Sequence, residues 1–569
     1  MKNRLVARIL YEIAELLDLE EVQFKPRAYR RAAEAVESCG VPIEELASQG
    51  RLQELSGVGN AIADKIDEIV NTGRLRYHDE LKAKFPVDLL SLTRVEGVGA
   101  KTARLLYKEL DVKDLNDLEN AARRGAISKI KGLGEKTEQK ILRGLAETRR
   151  VEARELLGNA LPLVEELIDS LKNTGLFERI ETAGSVRRGR ETVGDLDILA
   201  ISKAPSRASE AFVSVCSPDD ILAQGPKKTS IRLQSGLQVD LRIVPKESYG
   251  AALQYFTGSQ AHNVAIRKRA VARGYKLNEY GVYDSHGVKL AGETEKGVYA
   301  ALDLGYIPPE LREDEGEILL AEKGRLPSLL ERPDLISDLH VHTEWSDGKA
   351  SVQQMARAAK DLGLSHIAIT DHYRFSRIVN GLSADDLASQ MDEIGQLNEK
   401  LKGFRLLRGV EANIDREGSI DVPEKLLANL DIVVAAVHAH FHMERDEMTR
   451  RLVRAVKNPY VDVLAHPTGR KMGERASYEA DWDEVFAHAA ESGTALEINS
   501  NPQRLDLSAQ LARKALGAGA HLSIGSDAHS PGHFAFLRLG VITARRGWAE
   551  KKDVLNSLTL GELTKDLVA

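Results

Sequence analysis

The chain has 569 residues, more than one hydrophobic core holds, and length alone implies roughly three or four domains. It carries 79 Lys and Arg against 86 Asp and Glu, a net charge of −7, so composition gives none of the basic surplus that marks many nucleic-acid binders. Its two cysteines, Cys39 and Cys216, exclude a disulfide framework and a cysteine-built zinc motif. No apolar run approaches membrane-spanning length, and the amphipathic N-terminus with Glu12 and Glu15 is not a signal peptide. The expected location is cytoplasmic.

A glycine-centred pattern occurs three times: LSGVGNAIADKI at 55–66, VEGVGAKTARLL at 95–106 and IKGLGEKTEQKI at 130–141. Each has an apolar residue, then Gly-x-Gly (Gly57 and Gly59, Gly97 and Gly99, Gly132 and Gly134), then an amphipathic helical run. This is the helix-hairpin-helix pattern. Glycine lets the backbone approach a partner closely, and N–H groups at a helix start bind phosphate without reading a base. A single Gly-x-Gly also fits an ordinary helix end and turn. Three copies with the same downstream helix point to DNA backbone. Helical periodicity between the repeats predicts an all-α region, divided into 1–85 with the first hairpin and 86–158 with the second and third.

From about residue 176 the period changes to that of strands. FERIETAG, VGDLDILAIS and LQVDLRIVP read as short strands of an α+β domain over 159–245. Asp195 and Asp197 are two apart on one strand, so both face the same way. Asp240 lies on another strand of similar character. A bare pair of strand carboxylates is most simply a solvated edge. Three on one sheet face repel, and they suit two Mg²⁺ ions that activate a 3′-hydroxyl and stabilise a leaving oxygen. Gly184 and Ser185 upstream form a tight turn, and Arg188 supplies a cation for phosphate.

Residues 246–318 mix helix with short strands, and a polar stretch over 319–334 with two prolines reads as a linker. Beyond 335, apolar strand-like runs alternate with helices, the rhythm of a βα barrel. Candidate ligands fall at or just past the ends of those runs: His340, His342, Asp347, His372, Glu411, His438, His466, Asp527 and His529. Strand ends of a βα barrel converge on one rim. Imidazoles and carboxylates hold Zn²⁺, Mn²⁺ or Fe²⁺, and this many groups suit up to three ions that activate water for attack on phosphorus. Arg470, just after His466, is a candidate contact for substrate phosphate. His440, His442, His521 and His533 fall outside the pattern.

The string GS-x-RR…GD-x-D (184–197) resembles the nucleotidyltransferase signature of family X DNA polymerases. The likeness extends to FKPRAYRRAA (24–33), YFTGSQAHN (255–263) and LNEYGVY (277–283). It implies a palm at 159–245 and a thumb at 246–318. Asp195, Asp197 and Asp240 would be the catalytic metal ligands, with Mg²⁺ or Mn²⁺. Ser185, Arg188 and Gly194 would hold the triphosphate, and Arg242 would lie near the metals. Tyr255 and Phe256 would lie against the sugar, Asn263 at the base edge, and Arg267 on the template. Lys65 would be the counterpart of the Schiff-base lysine with which some members remove a 5′-deoxyribose phosphate. Lys25 and Tyr29 match supporting positions, whereas Ala61 replaces a second lysine of that pattern.

Residues 335–569 resemble the polymerase and histidinol phosphatase (PHP) domain with its nine ligand positions intact. This implies Mn²⁺ and/or Zn²⁺. The order of parts is similar to that of bacterial family X enzymes. It implies short-gap synthesis on gapped or primed DNA from dNTPs in base excision repair, by a monomer with no membrane contact. A 3′–5′ exonuclease would accompany it, or cleavage at abasic sites, or removal of 3′-phosphates. The competing readings are a small-molecule phosphatase at the C-terminal site, or a DNA-binding scaffold without catalysis.

Overall fold

The computed structural model describes residues 2–19, 22, 25–37, 43–55, 57–84, 87, 88, 92, 95, 97–152, 154–373 and 381–566. Cys39 lies outside them, as do Phe24, Ser56 and Glu96 of the motifs above. The chain forms two units. One comprises Met1–Glu152, Glu344–Gly348 and His372–Leu387; the other comprises Ala153–Thr343, Lys349–Asp371 and Ala388–Ala569.

The first unit is helical over its N-terminal part: α1 (Lys2–Leu19), α2 (Lys25–Glu37), α3 (Ile43–Ser48), α4 (Asn60–Thr72), α5 (Arg76–Lys84), α6 (Ala100–Leu110), α7 (Leu115–Arg123) and α8 (Glu135–Glu152). Apolar residues at three- and four-residue spacing form the buried stripe of α1: Val6, Leu10, Ile13 and Leu17. The Asp114 carboxylate caps α7 by accepting from the N–H groups of Asn116 and Asp117. One apolar cluster runs from Val6 to Leu145, across the boundary expected at 85 and 86.

The second unit begins with α9 (Leu157–Lys172) and a sheet of β2 (Arg179–Thr182), β4 (Asp195–Ile201), β7 (Gln238–Ile243), β6 (Lys228–Arg232) and β5 (Asp220–Ala223), in that spatial order. Two-residue strands β1 (Glu155–Leu156) and β3 (Thr192–Val193) pair beside it. Alternation places Leu196, Ile198, Val239 and Leu241 in the core with α9. The intervening aspartates therefore take the opposite face. Helix α10 (Gly184–Arg187) joins β2 to β3, and α11 (Pro205–Cys216) joins β4 to β5.

Next come α12 (Tyr249–Thr257) and α13 (Gln260–Ala272). The sheet β8 (Lys276–Asn278), β9 (Gly281–Tyr283) and β10 (Lys289–Ala291) follows, then α14 (Glu295–Ala300). Their core includes Ile266, Val282, Tyr299 and Leu302. The stretch read as a linker is packed rather than loose. It overlaps α15 (Glu317–Glu322), whose Ala321 is buried, and the wholly buried Leu330 donates its N–H to Ala549 O at 2.9 Å. Its leucines outweigh its charges and prolines.

The C-terminal part is a seven-stranded parallel sheet in sequence order: β11 (Ser337–Val341), β12 (His366–Ile369), β13 (Arg405–Asn413), β14 (Ile432–Ala436), β15 (Val463–Leu464), β16 (Ala495–Asn499) and β17 (Leu522–Gly525). Val341 bridges Ala528 in parallel, and His342 donates its N–H to Ala528 O at 2.9 Å, which brings the last strand back to the first. This is the expected distorted barrel. No helix among the described residues is long and apolar enough to cross a membrane.

Candidate functional sites

The hairpins share one backbone solution. Gly57, Gly97 and Gly132 have φ of +82°, +93° and +96°, values open to glycine. Each turn is closed by the same bond, from Val58 N to Leu55 O, Val98 N to Val95 O, and Leu133 N to Ile130 O, at 3.0, 2.9 and 2.9 Å. Gly59 and Gly99 are the N-caps of α4 and α6. A Cβ at Gly59, Gly99 or Gly134 would meet nothing within 4 Å, so the chain itself does not demand glycine there. Lys65, on α4, is half-buried; its ammonium donates to Ala61 O at 3.1 Å and lies 5.1 Å from the centre of the Tyr77 ring.

On the palm sheet, Asp197 and Asp240 are direct partners across the parallel pair β4–β7, and Asp195 precedes Asp197 on the same face. Asp195 is exposed, whereas Asp240 is buried. Asp240 accepts from Lys228 Nζ and Gln238 Nε2, both at 2.9 Å. Burial opposes its ionised form, but the Lys228 ammonium and the Gln238 donor hold it below the usual carboxylate range. Asp197 is pushed up to about 7, by burial first and then by Asp195 and Asp240. Three carboxylates gathered so, one of them destabilised by the others, are of the chemistry that a divalent cation would relieve.

Gly184 supplies the turn beneath it. Its φ is +62°, and a Cβ there would lie 2.2 Å from Asp197 Oδ2. The neighbouring Ser185 Oγ is buried with no hydrogen-bond partner among the described residues. Gly194 lies against Arg154, whose Nη1 a Cβ would approach to 3.4 Å.

The arginines divide differently from expectation. Arg187 grips Glu295 with two bonds at 2.8 and 2.6 Å and Thr257 Oγ1 at 2.7 Å. Arg188, expected at the triphosphate, donates instead to Thr257 O and to Glu313 at 3.2 Å. Tyr255 and Phe256 meet edge to face at 5.1 Å. Arg242 lies 4.2 Å over Phe256 and Arg267 5.9 Å from the Tyr255 ring centre. Asn263 is fixed by donating to Tyr255 O and accepting from Gln254, both at 2.7 Å.

In the barrel, His340, Glu411, His438, His466 and Asp527 lie at or just past strand ends, as expected. Glu411 is the hub. One carboxylate oxygen lies 3.0 Å from His438 Nε2 and 3.1 Å from His466 Nε2; the other lies 3.4 Å from His340 Nε2 and 3.3 Å from His342 Nε2. Asp527 Oδ1 is 3.4 Å from His342 Nε2, 3.9 Å from His340 Nε2 and 3.6 Å from His529 Nδ1. His342 and His529 stack at 4.4 Å. His340, His342 and Asp527 form one group whose ligand atoms lie within 4.8 Å of one another. His340 Nε2 and His466 Nδ1 are buried without a hydrogen-bond partner among the described residues, a cost that a metal ion removes. Burial, then Arg504, pushes His466 down to about 4, leaving the neutral imidazole that ligates metals. Asp347 and His372 lie in the first unit and pair with each other at 3.6 Å.

Several residues here escaped the sequence reading. Glu497, wholly buried, accepts from the His340 ring at 2.7 Å and from the His466 backbone N–H at 2.6 Å, which orients the His340 imidazole and fixes the main chain that carries His466. An acidic residue inside the apolar run ALEIN was the available signal. Lys228 and Gln238 similarly pin Asp240, and Gln238 shares its strand parity. Arg470, read as a phosphate contact, is committed elsewhere: it pairs with Glu191 at 2.7 and 3.2 Å.

Helical hairpins, palm, thumb and barrel in that order are the build of a DNA polymerase fused to a phosphoesterase. Family profiles agree: a helix-hairpin-helix domain over 1–75, a helix-hairpin-helix tandem over 89–147, the DNA polymerase beta thumb over 252–313 and the PHP domain over 338–501. The chain is 36% identical over 567 residues to "DNA polymerase/3′-5′ exonuclease PolX" of Bacillus subtilis (strain 168), covering 99% of both chains. It is 26% identical over 341 residues to DNA polymerase lambda of Rattus norvegicus, covering 55% of this chain and 56% of that one. A "Probable phosphatase" of Thermoanaerobacter sp. (strain X514) is 34% identical over 209 residues, covering 34% of this chain and 79% of its own length. The chain belongs to the family X DNA polymerases that carry a C-terminal PHP domain.

Proposed function

We propose that this enzyme adds nucleotides to DNA primers across short gaps at the palm and removes them from 3′-ends at the barrel, in repair of the base-excision type. The coexistence on one chain of the Asp195, Asp197 and Asp240 face and the Glu411-centred imidazole cluster carries this reading. Asp195, Asp197 and Asp240 would hold Mg²⁺ or Mn²⁺. His340, His342, Glu411, His438, His466, Asp527 and His529 would hold Mn²⁺ or Zn²⁺, with Asp347 and His372 completing the set. Their mutual pairing and their places directly after β11 and β12 in the chain support that addition. Bound ions supply Lewis acidity for phosphoryl transfer at both sites.

The chain's own groups do the rest. Lys228 keeps Asp240 ionised toward the primer 3′-hydroxyl. The unpartnered Ser185 hydroxyl meets the triphosphate, and Tyr255 and Phe256 wall off the sugar where a 2′-hydroxyl would intrude. Glu497 keeps the His340 ring aimed and holds the main chain at His466. The hairpins bind DNA backbone on either side of the gap.

The test offers three substrates to the full-length protein with Mn²⁺: a labelled primer on a gapped duplex with dNTPs, a labelled 3′-ended oligonucleotide, and histidinol phosphate. Extension of the first and shortening of the second are expected. Preference for histidinol phosphate over the oligonucleotide would replace the exonuclease with a small-molecule phosphatase.

A further inference from the structure

The palm reaches into the hydrolytic site through a short chain of contacts. Glu191 lies just before β3, its carbonyl fixed by Leu157 N–H at 2.9 Å. Its carboxylate takes both prongs of Arg470, a half-shielded to buried pair with side chains 25% and 15% exposed. The same guanidinium donates through Nε to Arg504 O at 2.9 Å and through Nη2 to Leu505 O. The turn so gripped, 501–506, follows β16; Arg504 N–H donates to Asn501 O at 2.8 Å. Leu505 is seated in the apolar core of the palm. A Cβ on Gly158 of α9 would come within 2.5 Å of Pro502, so the turn is pressed against the palm with no slack.

Arg504 points the other way from these anchors. Its Nε lies 3.7 Å from Asp527 Oδ2 in the ligand cluster, and its Nη1 is buried with no hydrogen-bond partner among the described residues. A buried guanidinium nitrogen with its hydrogen bond unfilled, beside a phosphoesterase site, is suited to a phosphate oxygen.

The geometry points to Glu191 as a positioning residue for the barrel's active site: through Arg470 it fixes the turn that carries Arg504, the cation that receives the substrate phosphate. A palm residue thereby sets how the hydrolytic site holds DNA ends. The inference rests on the phosphoesterase reading of the barrel. It also explains why Arg470, adjacent in sequence to ligand His466, is turned away from that site.

The experiment uses full-length wild type, E191Q, E191D, R504A and E191Q/R504A with Mn²⁺. It measures hydrolysis of a 3′-labelled oligonucleotide and, separately, dAMP binding by calorimetry. E191Q is expected to raise both KM and the dAMP dissociation constant about tenfold while kcat stays within about threefold, because a contact made equally in ground and transition states is loosened. In the R504A background E191Q should add less than about twofold, since both act through one guanidinium. E191D keeps the charge at shorter reach and should show the same pattern at smaller amplitude, also lost in the R504A background, which serves if E191Q folds poorly. Unchanged KM and dAMP affinity in E191Q and E191D, or effects that add fully to R504A, overturn the positioning role while wild-type hydrolysis leaves the phosphoesterase reading standing. A wild type that neither binds dAMP nor shortens the oligonucleotide overturns both.

Discussion

At the scale of single residues, each site depends on a group that is not itself a ligand. Gly184 leaves room for Asp197, and Gly184→Ala would push a methyl group into its carboxylate, 2.2 Å from Oδ2. Single-turnover incorporation should fall about 10²-fold, the cost of misplacing a reacting group by an ångström, while primer shortening is unchanged. Retention of full incorporation would show that the turn does not set the acidic face. In the barrel, Glu497→Gln leaves the volume but weakens the grip on the His340 ring and the His466 backbone. Metal affinity measured against a competing chelator should drop about 10- to 100-fold, with primer extension intact. An unchanged affinity would reduce Glu497 to a packing residue.

At the scale of elements, what was legible in the sequence was periodic. Two-residue spacing put Asp195 and Asp197 on one face, and the register of β4 against β7 then delivered Asp240 beside them. Strand ends marked the imidazoles because a parallel barrel gathers them at one rim. The Gly-x-Gly repeats were legible because a left-handed turn admits little else. Contacts between distant segments were not legible. Glu191 and Arg470 stand 279 positions apart, and no local pattern says which arginine meets a carboxylate and which meets phosphate. Arg188 and Arg470 were both assigned to substrate and both hold protein. The stretch 319–334 failed for the opposite reason: its prolines and charges signal a linker, but burial of leucines such as Leu330 is decided by tertiary packing.

The hairpins permit a clean test at this scale. Gly99 is an N-cap with open space at its Cβ, and threonine is an accepted N-cap residue. Gly99→Thr should therefore keep the melting temperature yet weaken binding to unrelated duplexes alike, by about tenfold, if the open space is where phosphates approach. Binding equal to wild type in a fluorescence titration would remove that hairpin from the interface.

At the scale of the whole molecule, palm, thumb and the barrel strands belong to one unit. Leu505 and Leu539 from the barrel segment complete the palm core, and Trp548 joins the thumb core. The barrel is thus built into the polymerase rather than tethered to it, while the two ligand sets share no residue. One chain thus carries two activities that should separate by mutation. The most direct measurement follows a labelled primer on a one-nucleotide-gapped duplex, with Mn²⁺, with and without dNTPs. Wild type is compared with Asp195→Ala/Asp197→Ala and His340→Ala/His342→Ala. The first variant should shorten but not extend the primer, and the second should extend but not shorten it. A histidine variant that still shortens the primer at the wild-type rate would contradict that separation and remove the exonuclease from the barrel.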